Sequence, residues 1–129
     1  MPSEKSMVEK MHLKQGMIFL LIDPPPGYVE RIGKLPDNVR MVNTEEKELD
    51  VVQMFVKRMA EFEARIRRLK PFLKPGSIVW VTYPKGTSGV DTDLNRDIIW
   101  RKARDLGMEA VANFSVDDVW SAMRLKIAG

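Results

Sequence analysis

The chain has 129 residues, of which 44% are hydrophobic and 30% are charged, and its net charge is +3. This size and balance predict one globular domain with a real core and exclude two. The absence of cysteine excludes a disulfide framework and a thiolate nucleophile, and it is typical of a cytoplasmic protein. No apolar run approaches the roughly 20 residues that cross a bilayer, and charged residues interrupt the N-terminus where a signal peptide needs its apolar core.

Apolar runs and turn residues predict strands that alternate with helices. Residues 1–15 show no convincing period and are expected to be a flexible segment, so that the domain spans 16–129. The predicted strands cover 17–22, 39–42, 50–56, 77–82, 108–114 and 119–127. The predicted helices cover 28–35, 59–73 and 92–106, and the second has an apolar stripe at steps of three and four.

This order of elements predicts the fold class. Strands joined by helices pair in parallel through right-handed crossovers. The last two predicted strands are joined by the short turn 115–118, so only they must form an antiparallel hairpin. We therefore expect an α/β fold with three layers, Rossmann-like, whose mostly parallel six-stranded sheet ends in an antiparallel β-hairpin.

The positive charge is concentrated in one predicted helix. Residues 57–74 hold seven basic and two acidic side chains, a local charge of +5. Clusters of this kind mark some nucleic-acid surfaces. Here the cations crowd the C-terminal half of the helix, where they complement the helix dipole, and we favour that interpretation.

The candidate binding residues follow the fourth predicted strand. A strand, a glycine-containing loop and a helix N-terminus occur in this order over residues 78–97, and open α/β sheets hold ligands at such turns. Lys85 offers an ammonium group, and Thr87 and Ser88 offer hydroxyls. These groups predict a site for an anionic small molecule, although a plain connecting turn has the same composition.

Asn95 lies on the apolar arc of the predicted helix 92–106. A polar group on an inner face needs a partner, so Asn95 is expected to reach back to the loop 84–89. It then either pins the loop to the sheet or contacts a ligand. Arg96 and Asp97 lie off this arc and are interpreted as a surface ion pair or as a contact to another chain.

No metal site is predicted. Residues 91–97 imitate the start of a calcium loop, but Arg96 stands where glycine is needed and Lys102 where a bidentate glutamate is needed. Zinc has no ligand cluster, because the chain has no cysteine and His12 is its single histidine. No catalytic triad can be assembled either, which argues against an enzyme.

Two resemblances follow from particular motifs. The phrase LKPGSIVWV at 73–81 resembles the helix-to-strand entry of Rossmann-type methyltransferases, whose sheets usually end in an antiparallel hairpin. The resemblance implies a shortened domain with the strand order second, first, third, fourth, sixth, fifth. The motifs YPK at 83–85, TDLNRD at 92–97 and WSA at 120–122 resemble a mainly bacterial family of short Rossmann-like chains, and that likeness implies no particular activity.

The first turn departs from the methyltransferase pattern. Methyltransferases have a glycine-rich turn after the first strand, whereas this chain has DPPPGY at 23–28. Three prolines lack amide donors and stiffen the backbone, so the turn is poorly suited to cradle a cofactor.

The leading functional hypothesis is a small Rossmann-like module that binds a nucleotide or a phosphate metabolite. The ligand would lie between the turn at Asp23 and the loop 83–91, in contact with Lys85, Thr87 and Ser88. The alternative is a protein-interaction or regulatory subunit with a degenerate cofactor site. A reduced S-adenosylmethionine-dependent methyltransferase is the third hypothesis. The sequence identifies no cofactor, and neither nucleic acid nor a membrane is an expected partner.

Overall fold

The computed structural model describes residues 6–128 of the chain. The strands are β1 Ile18–Ile22, β2 Arg40–Val42, β3 Leu49–Phe55, β4 Leu73–Pro84, β5 Met108–Ser115 and β6 Trp120–Ile127. The helices are α1 Met7–Lys10, α2 Tyr28–Ile32, α3 Met59–Leu69 and α4 Arg96–Asp105, and a 3-10 turn over Lys70–Phe72 follows α3.

All these strands form one sheet in the order β2-β1-β3-β4-β6-β5. β2, β1, β3 and β4 pair in parallel, whereas β6 is antiparallel to both β4 and β5. The predicted α/β fold class is confirmed, and the strand order agrees with the one that the methyltransferase resemblance implied.

Helices cover both faces of the sheet. Phe62 and Ile66 of α3 and Ile99 of α4 belong to the apolar cluster on one face, together with Val79 and other residues of the strands. The cluster on the other face contains residues of α2 and of the segment after α1, namely Tyr28, Ile32, Met11 and Leu13. β4 lies near the middle of the sheet, and its residues 77–84 are buried, as a strand covered on both faces requires.

The segment before β1 differs from the expected flexible lead-in. Ser6 caps α1, because its Oγ accepts from the Glu9 amide at 3.2 Å while the Glu9 carboxylate accepts from the Ser6 amide at 3.0 Å. Met11 and Leu13 are buried in the core, and Trp80 Nε1 donates to the Met11 carbonyl at 3.1 Å. From residue 6 onward this segment is packed on the sheet. Residues 1–5 of the expected flexible segment lie outside the described residues.

Several element boundaries also differ, and two of them have a clear physical reason. α3 ends at Leu69 instead of residue 73, since Pro71 closes a 3-10 turn there. β4 was predicted to end at residue 82, yet it continues through Tyr83 and Pro84, which pair with Ser121 and Trp120 of β6. A proline tolerates this last position because the strand ends there.

A chain of buried hydrogen bonds ties α2 to the sheet. Tyr28 Oη donates to Gln53 Oε1 at 2.7 Å, and Gln53 Nε2 donates to Thr82 Oγ1 at 3.1 Å. Gln53 and Thr82 are fully buried on β3 and β4. Since Tyr28 is the first residue of α2, these bonds also fix the end of the turn that connects β1 to α2.

Burial of this hydroxyl makes its ionisation costly. Burial raises the pKa of Tyr28 from 10.0 to about 12, although the hydrogen bond to Gln53 opposes the rise. The neutral hydroxyl therefore stabilises the fold fully below pH 10, and this contribution decreases as the pH rises from 10 to about 12.

We predict that Tyr28→Phe lowers the free energy of unfolding by about 1–3 kcal/mol at neutral pH, because Gln53 Oε1 loses its buried donor. The deficit relative to the wild type should shrink above pH 10, where the wild type alone loses about 1.4 kcal/mol per pH unit through this group. Urea unfolding between pH 7 and 11 measures both effects.

Tyr83→Phe is the matched control. Tyr83 Oη contacts Asn113 Oδ1 at 3.3 Å in a part-buried position, so we expect a smaller loss. An equal or larger loss in Tyr83→Phe, or a deficit of Tyr28→Phe that does not change with pH, contradicts the assigned role of the buried network.

Candidate functional site

The carboxyl ends of β1 and β3 form the topological switch point of the sheet. From β1 the chain passes through α2 to β2, which is the neighbour of β1 on one side of the sheet. From β3 it passes through α3 to β4, which is the neighbour of β3 on the other side. The two connections leave a crevice between the strand ends, and open α/β sheets bind ligands in such crevices. This place is therefore the first candidate for a functional site.

The turn after β1 forms one wall of the crevice. Asp23 and Gly27 have positive φ angles of 53° and 81°, a backbone conformation that aspartate tolerates and glycine favours. The prolines between them carry no amide hydrogen, and the Tyr28 amide already donates to the Pro25 carbonyl at 3.1 Å. A ligand here would have to be held mainly by side chains.

Arg65 of α3 bridges the crevice. Its Nη1 donates to the Phe55 carbonyl at the end of β3, at 3.1 Å, and its Nη2 pairs with the Asp23 carboxylate at the end of β1. The Arg65 side chain is 23% exposed, so it is partly accessible to solvent. The two strand ends are thereby linked through one cation.

A cleft of about 330 Å³ lies at the same place, and we call it the switch-point cleft. Phe55 and Trp120 pack edge to face with their ring centroids 5.0 Å apart and supply its aromatic part. Charged groups of both signs complete the lining, which consists of Asp23, Pro25, Pro26, Phe55, Lys57, Glu61 and Trp120.

A second cleft of about 490 Å³ lies beside β2 at the same proline turn, and we call it the β2 cleft. Apolar side chains line most of it, and Val29 and Met41 are 40% and 41% exposed. Its lining consists of Leu21, Pro24, Val29, Met41, Val42, Asn43, Thr44 and Glu46. The hydrogen bond from Arg40 lowers the pKa of the Glu46 carboxyl group.

The predicted anion loop uses its polar groups internally. Lys85 Nζ donates to Ser115 Oγ at 2.6 Å, and the Lys85 amide donates to the Val119 carbonyl at 2.7 Å. Ser88 Oγ donates to the Lys85 carbonyl at 2.7 Å, while Thr87 is exposed. The structure thus brings Lys85 and Ser88 together, but their contacts close the loop and join it to the β5–β6 hairpin.

The acidic segment after this loop caps α3. The Asp93 carboxylate accepts from the Met59 amide at 2.8 Å, and Thr92 Oγ1 donates to the Lys57 carbonyl at 2.6 Å. Asp91 forms an ion pair with Arg58. These residues therefore stabilise the N-terminus of α3 and hold the loops after β3 and β4 together.

Asn95 was predicted to lie on the inner face of a helix, and this prediction is wrong. α4 begins at Arg96, because Asn95 has extended backbone angles and caps the helix by accepting from the Ile98 amide at 2.9 Å. Its side chain is exposed and reaches forward to α4, instead of back to the loop 84–89.

The predicted site residues do not converge on one cleft. The switch-point cleft contains Asp23 but no residue of the loop 85–89. Sequence reasoning missed Phe55, Lys57, Glu61 and Arg65. Phe55 and Lys57 lie at the end of the predicted strand 50–56, and this position could have predicted that they line a ligand site. Arg65 was interpreted only as a complement to the helix dipole.

Within residues 6–128, no group of three or more His, Asp or Glu side chains could hold a metal ion. In the same range, no helix is both long and apolar enough to span a membrane.

Solved structures with the same fold include S-adenosylmethionine-dependent methyltransferases. The structure of such an enzyme from Aquifex aeolicus matches with a TM-score of 0.61 and 15% identity, over 94% of this chain and 87% of the other. The complex of DhpI with SAH matches with a TM-score of 0.67 and 12% identity, over 95% of this chain and 82% of the other. The mitomycin 7-O-methyltransferase MmcR matches with a TM-score of 0.58 and 8% identity, over 88% of this chain and 49% of the other.

No protein-family model and no curated protein sequence matches the chain. At these low identities the structural likeness establishes the fold alone: a six-stranded mixed sheet of the Rossmann-like methyltransferase type. It does not establish the activity of this chain.

We predict that Asn95→Ala lowers the free energy of unfolding by about 0.5–2 kcal/mol, because α4 loses its N-cap. Asn95→Asp keeps the acceptor oxygen and should retain most of the stability. Urea unfolding of the two variants, with Thr87→Ala as an exposed control, measures the difference. Full stability of Asn95→Ala contradicts the capping role.

Proposed function

We propose that the protein binds S-adenosylmethionine, or a closely related adenosyl ligand, at the carboxyl edge of its sheet. The observation that carries the proposal is the pair of clefts on the two sides of the proline turn. Pro24 lines the β2 cleft, and Pro25 and Pro26 line the switch-point cleft. One elongated ligand with two chemically different ends would occupy both.

The switch-point cleft suits the amino-acid end of such a ligand. Asp23 and Glu61 are acceptors for an ammonium group, and Lys57 is a donor for a carboxylate. Arg65 does not line the cleft, but it pairs with Asp23, which does, and is a second donor next to the cleft. Phe55 and Trp120 supply aromatic surface, which attracts a sulfonium or another organic cation. A ligand carboxylate would compete with Asp23 for the Arg65 guanidinium.

The β2 cleft suits the nucleoside end. Leu21, Val29 and Met41 offer apolar surface for a base. Asn43 and Glu46 lie in the same cleft and can accept hydrogen bonds from ribose hydroxyls. Both Glu46 oxygens already accept from Arg40, at 2.8 and 2.6 Å, so a ribose hydroxyl would use the remaining lone pairs of the carboxylate.

Structural likeness adds support to this choice. Solved structures of the same fold include a methyltransferase described as dependent on S-adenosylmethionine and a complex with SAH. This chain lacks the glycine-rich turn that lets backbone amides approach the cofactor. In our proposal, the side chains of Lys57 and Arg65 donate hydrogen bonds to the ligand in place of those backbone amides.

The hypothesis of an anionic ligand at Lys85, Thr87 and Ser88 has less support. Lys85 and Ser88 are already bonded within the protein, and Asp91 and Asp93 add negative charge nearby in the chain. A phosphate would have to displace the contact between Lys85 and Ser115. The interaction-subunit hypothesis stays a prediction.

We predict that S-adenosylmethionine and SAH shift the amide resonances of residues 21–30, 43–46 and 55–61 in labelled protein. Arg65→Met should weaken this binding by about tenfold or more, because a charge-assisted hydrogen bond to the ligand is lost. Arg67→Met is the matched control, since Arg67 is on the same helix and pairs with Glu63 away from both clefts. Lys57→Met tests the same carboxylate contact without removing the bridge to Asp23.

Two results would reject the proposal. The first is the absence of shifts with either adenosyl compound at millimolar concentration. The second is a response to ATP or inorganic phosphate that is confined to residues 85–95, which supports the anionic-ligand hypothesis instead. Urea unfolding of Arg65→Met shows whether a loss of binding merely reflects a loss of the fold.

A further inference from the structure

The outward face of α4 carries an exposed tryptophan. Trp100 is 41% exposed, whereas the other two tryptophans, Trp80 and Trp120, are 2% and 9% exposed. Tryptophan is enriched among the residues that dominate the energy of protein interfaces. A single exposed apolar side chain needs no explanation, so the surroundings of Trp100 decide its meaning.

The arginines around Trp100 form no ion pair, whereas most other arginines do; Arg124 of β6 is the other exception within residues 6–128. Within residues 6–128, the guanidinium groups of Arg96, Arg101 and Arg104 form no ion pair. By contrast, six arginines elsewhere each pair with a carboxylate, namely Arg31, Arg40, Arg58, Arg65, Arg67 and Arg68. The outward face of α4 thus carries guanidinium groups that form no ion pair within the described residues and are accessible to a partner.

Two clefts flank Trp100. One, of about 330 Å³, is lined by Arg96, Asp97, Trp100 and Arg101. The other, of about 420 Å³, has an apolar floor that includes Met108 and Ala110, and Arg104 and Glu109 lie at its sides. A planar aromatic side chain from outside could therefore pack beside Trp100 over apolar surface.

The charges on this face are of both signs. Arg96, Arg101 and Arg104 are balanced by Asp97, Asp105 and Glu109, so the net charge is zero. Lys102 does not add to it, because its ammonium group pairs with Glu63 of α3. A nucleic acid would meet the carboxylates as well as the arginines, which disfavours a polyanion. A surface that carries both an aromatic anchor and opposite charges is complementary to itself.

We propose that this face of α4 is the contact through which two copies of the chain form a symmetric dimer. Trp100, Arg101 and Arg104 follow Asp97 by three, four and seven residues, so they lie on the same side of the helix as Asp97. A two-fold axis perpendicular to α4 makes the paired helices antiparallel and brings the same patch of each copy together.

This symmetry defines the contacts. With the axis between Trp100 and Arg101, Asp97 lies opposite the partner's Arg104, and Arg104 lies opposite the partner's Asp97. The two indoles meet near the axis, where they fill the flanking clefts and exclude water from the ion pairs. The dimer gives both unpaired charges a partner without any change in the fold.

Sedimentation velocity of the full chain from micromolar to millimolar concentration tests the proposal, with twice the mass of one chain expected at the high end. Trp100→Ala should weaken dimerisation by about thirtyfold or more, as loss of an interface anchor does. Met41→Ala is the matched control, because Met41 has the same 41% exposure at the opposite edge of the sheet and should leave the dimer unchanged.

Charge reversal tests the symmetric pairing itself. Asp97→Arg and Arg104→Asp should each weaken dimerisation, because each places like charges opposite each other. The double variant restores both pairs and should recover the wild-type affinity. Circular dichroism of each variant checks that α4 remains folded.

Fluorescence supplies an independent measurement, because Trp100 is the exposed tryptophan of the three. Quenching of the emission by acrylamide should decrease as the wild-type protein is concentrated, and this change should vanish in Trp100→Ala. A single-chain mass at all concentrations, a double variant that stays monomeric, or a salt-sensitive complex of this face with an oligonucleotide would overturn the proposal.

Discussion

The architecture depends on one buried chain of hydrogen bonds, from Tyr28 through Gln53 to Thr82. Buried polar groups need hydrogen-bond partners, so the bonds among these three side chains hold α2 in its position on β3 and β4. Because α2 follows the proline turn directly, that placement also decides where the turn lies at the edge of the sheet. The turn lies between the two clefts, since Pro24 lines one of them and Pro25 and Pro26 line the other.

The remainder of the carboxyl edge is held by contacts between loops. Asp93 caps α3 from the loop after β4, and Thr92 bonds to the carbonyl of Lys57 at the end of β3. The motif TDLNRD is therefore largely structural: Leu94 is buried in the core and Asn95 caps α4. The proposed ligand would bind between the ends of β1 and β3, next to the ion pair of Arg65 and Asp23.

The sequence predicts the fold better than the site, for physical reasons. Apolar runs and their spacing report burial, so the six strands, three of the helices and the class of fold could be predicted. Asn95 was misplaced because a capping residue and the first turn of a helix have similar composition, and only backbone angles separate them. Arg65 links the ends of β1 and β3. Its position next to these strand ends depends on the tertiary fold, which neither hydrophobic periodicity nor a count of charges predicts.

The two proposed surfaces use different parts of the fold and do not compete. The clefts at the proline turn are lined by residues of β1, α2, β2, β3, α3 and β6 and the segments next to them, whereas the proposed dimer contact uses α4 and the start of β5. α3 and α4 share one apolar cluster, but α4 contributes no residue to the lining of either cleft. Dimerisation through α4 would therefore leave both clefts open to a ligand. The ion pairs follow the same division: Arg65 and Arg68 of α3 pair with Asp23 and Glu45 of neighbouring segments, whereas Arg96, Arg101 and Arg104 of α4 form no ion pair within residues 6–128.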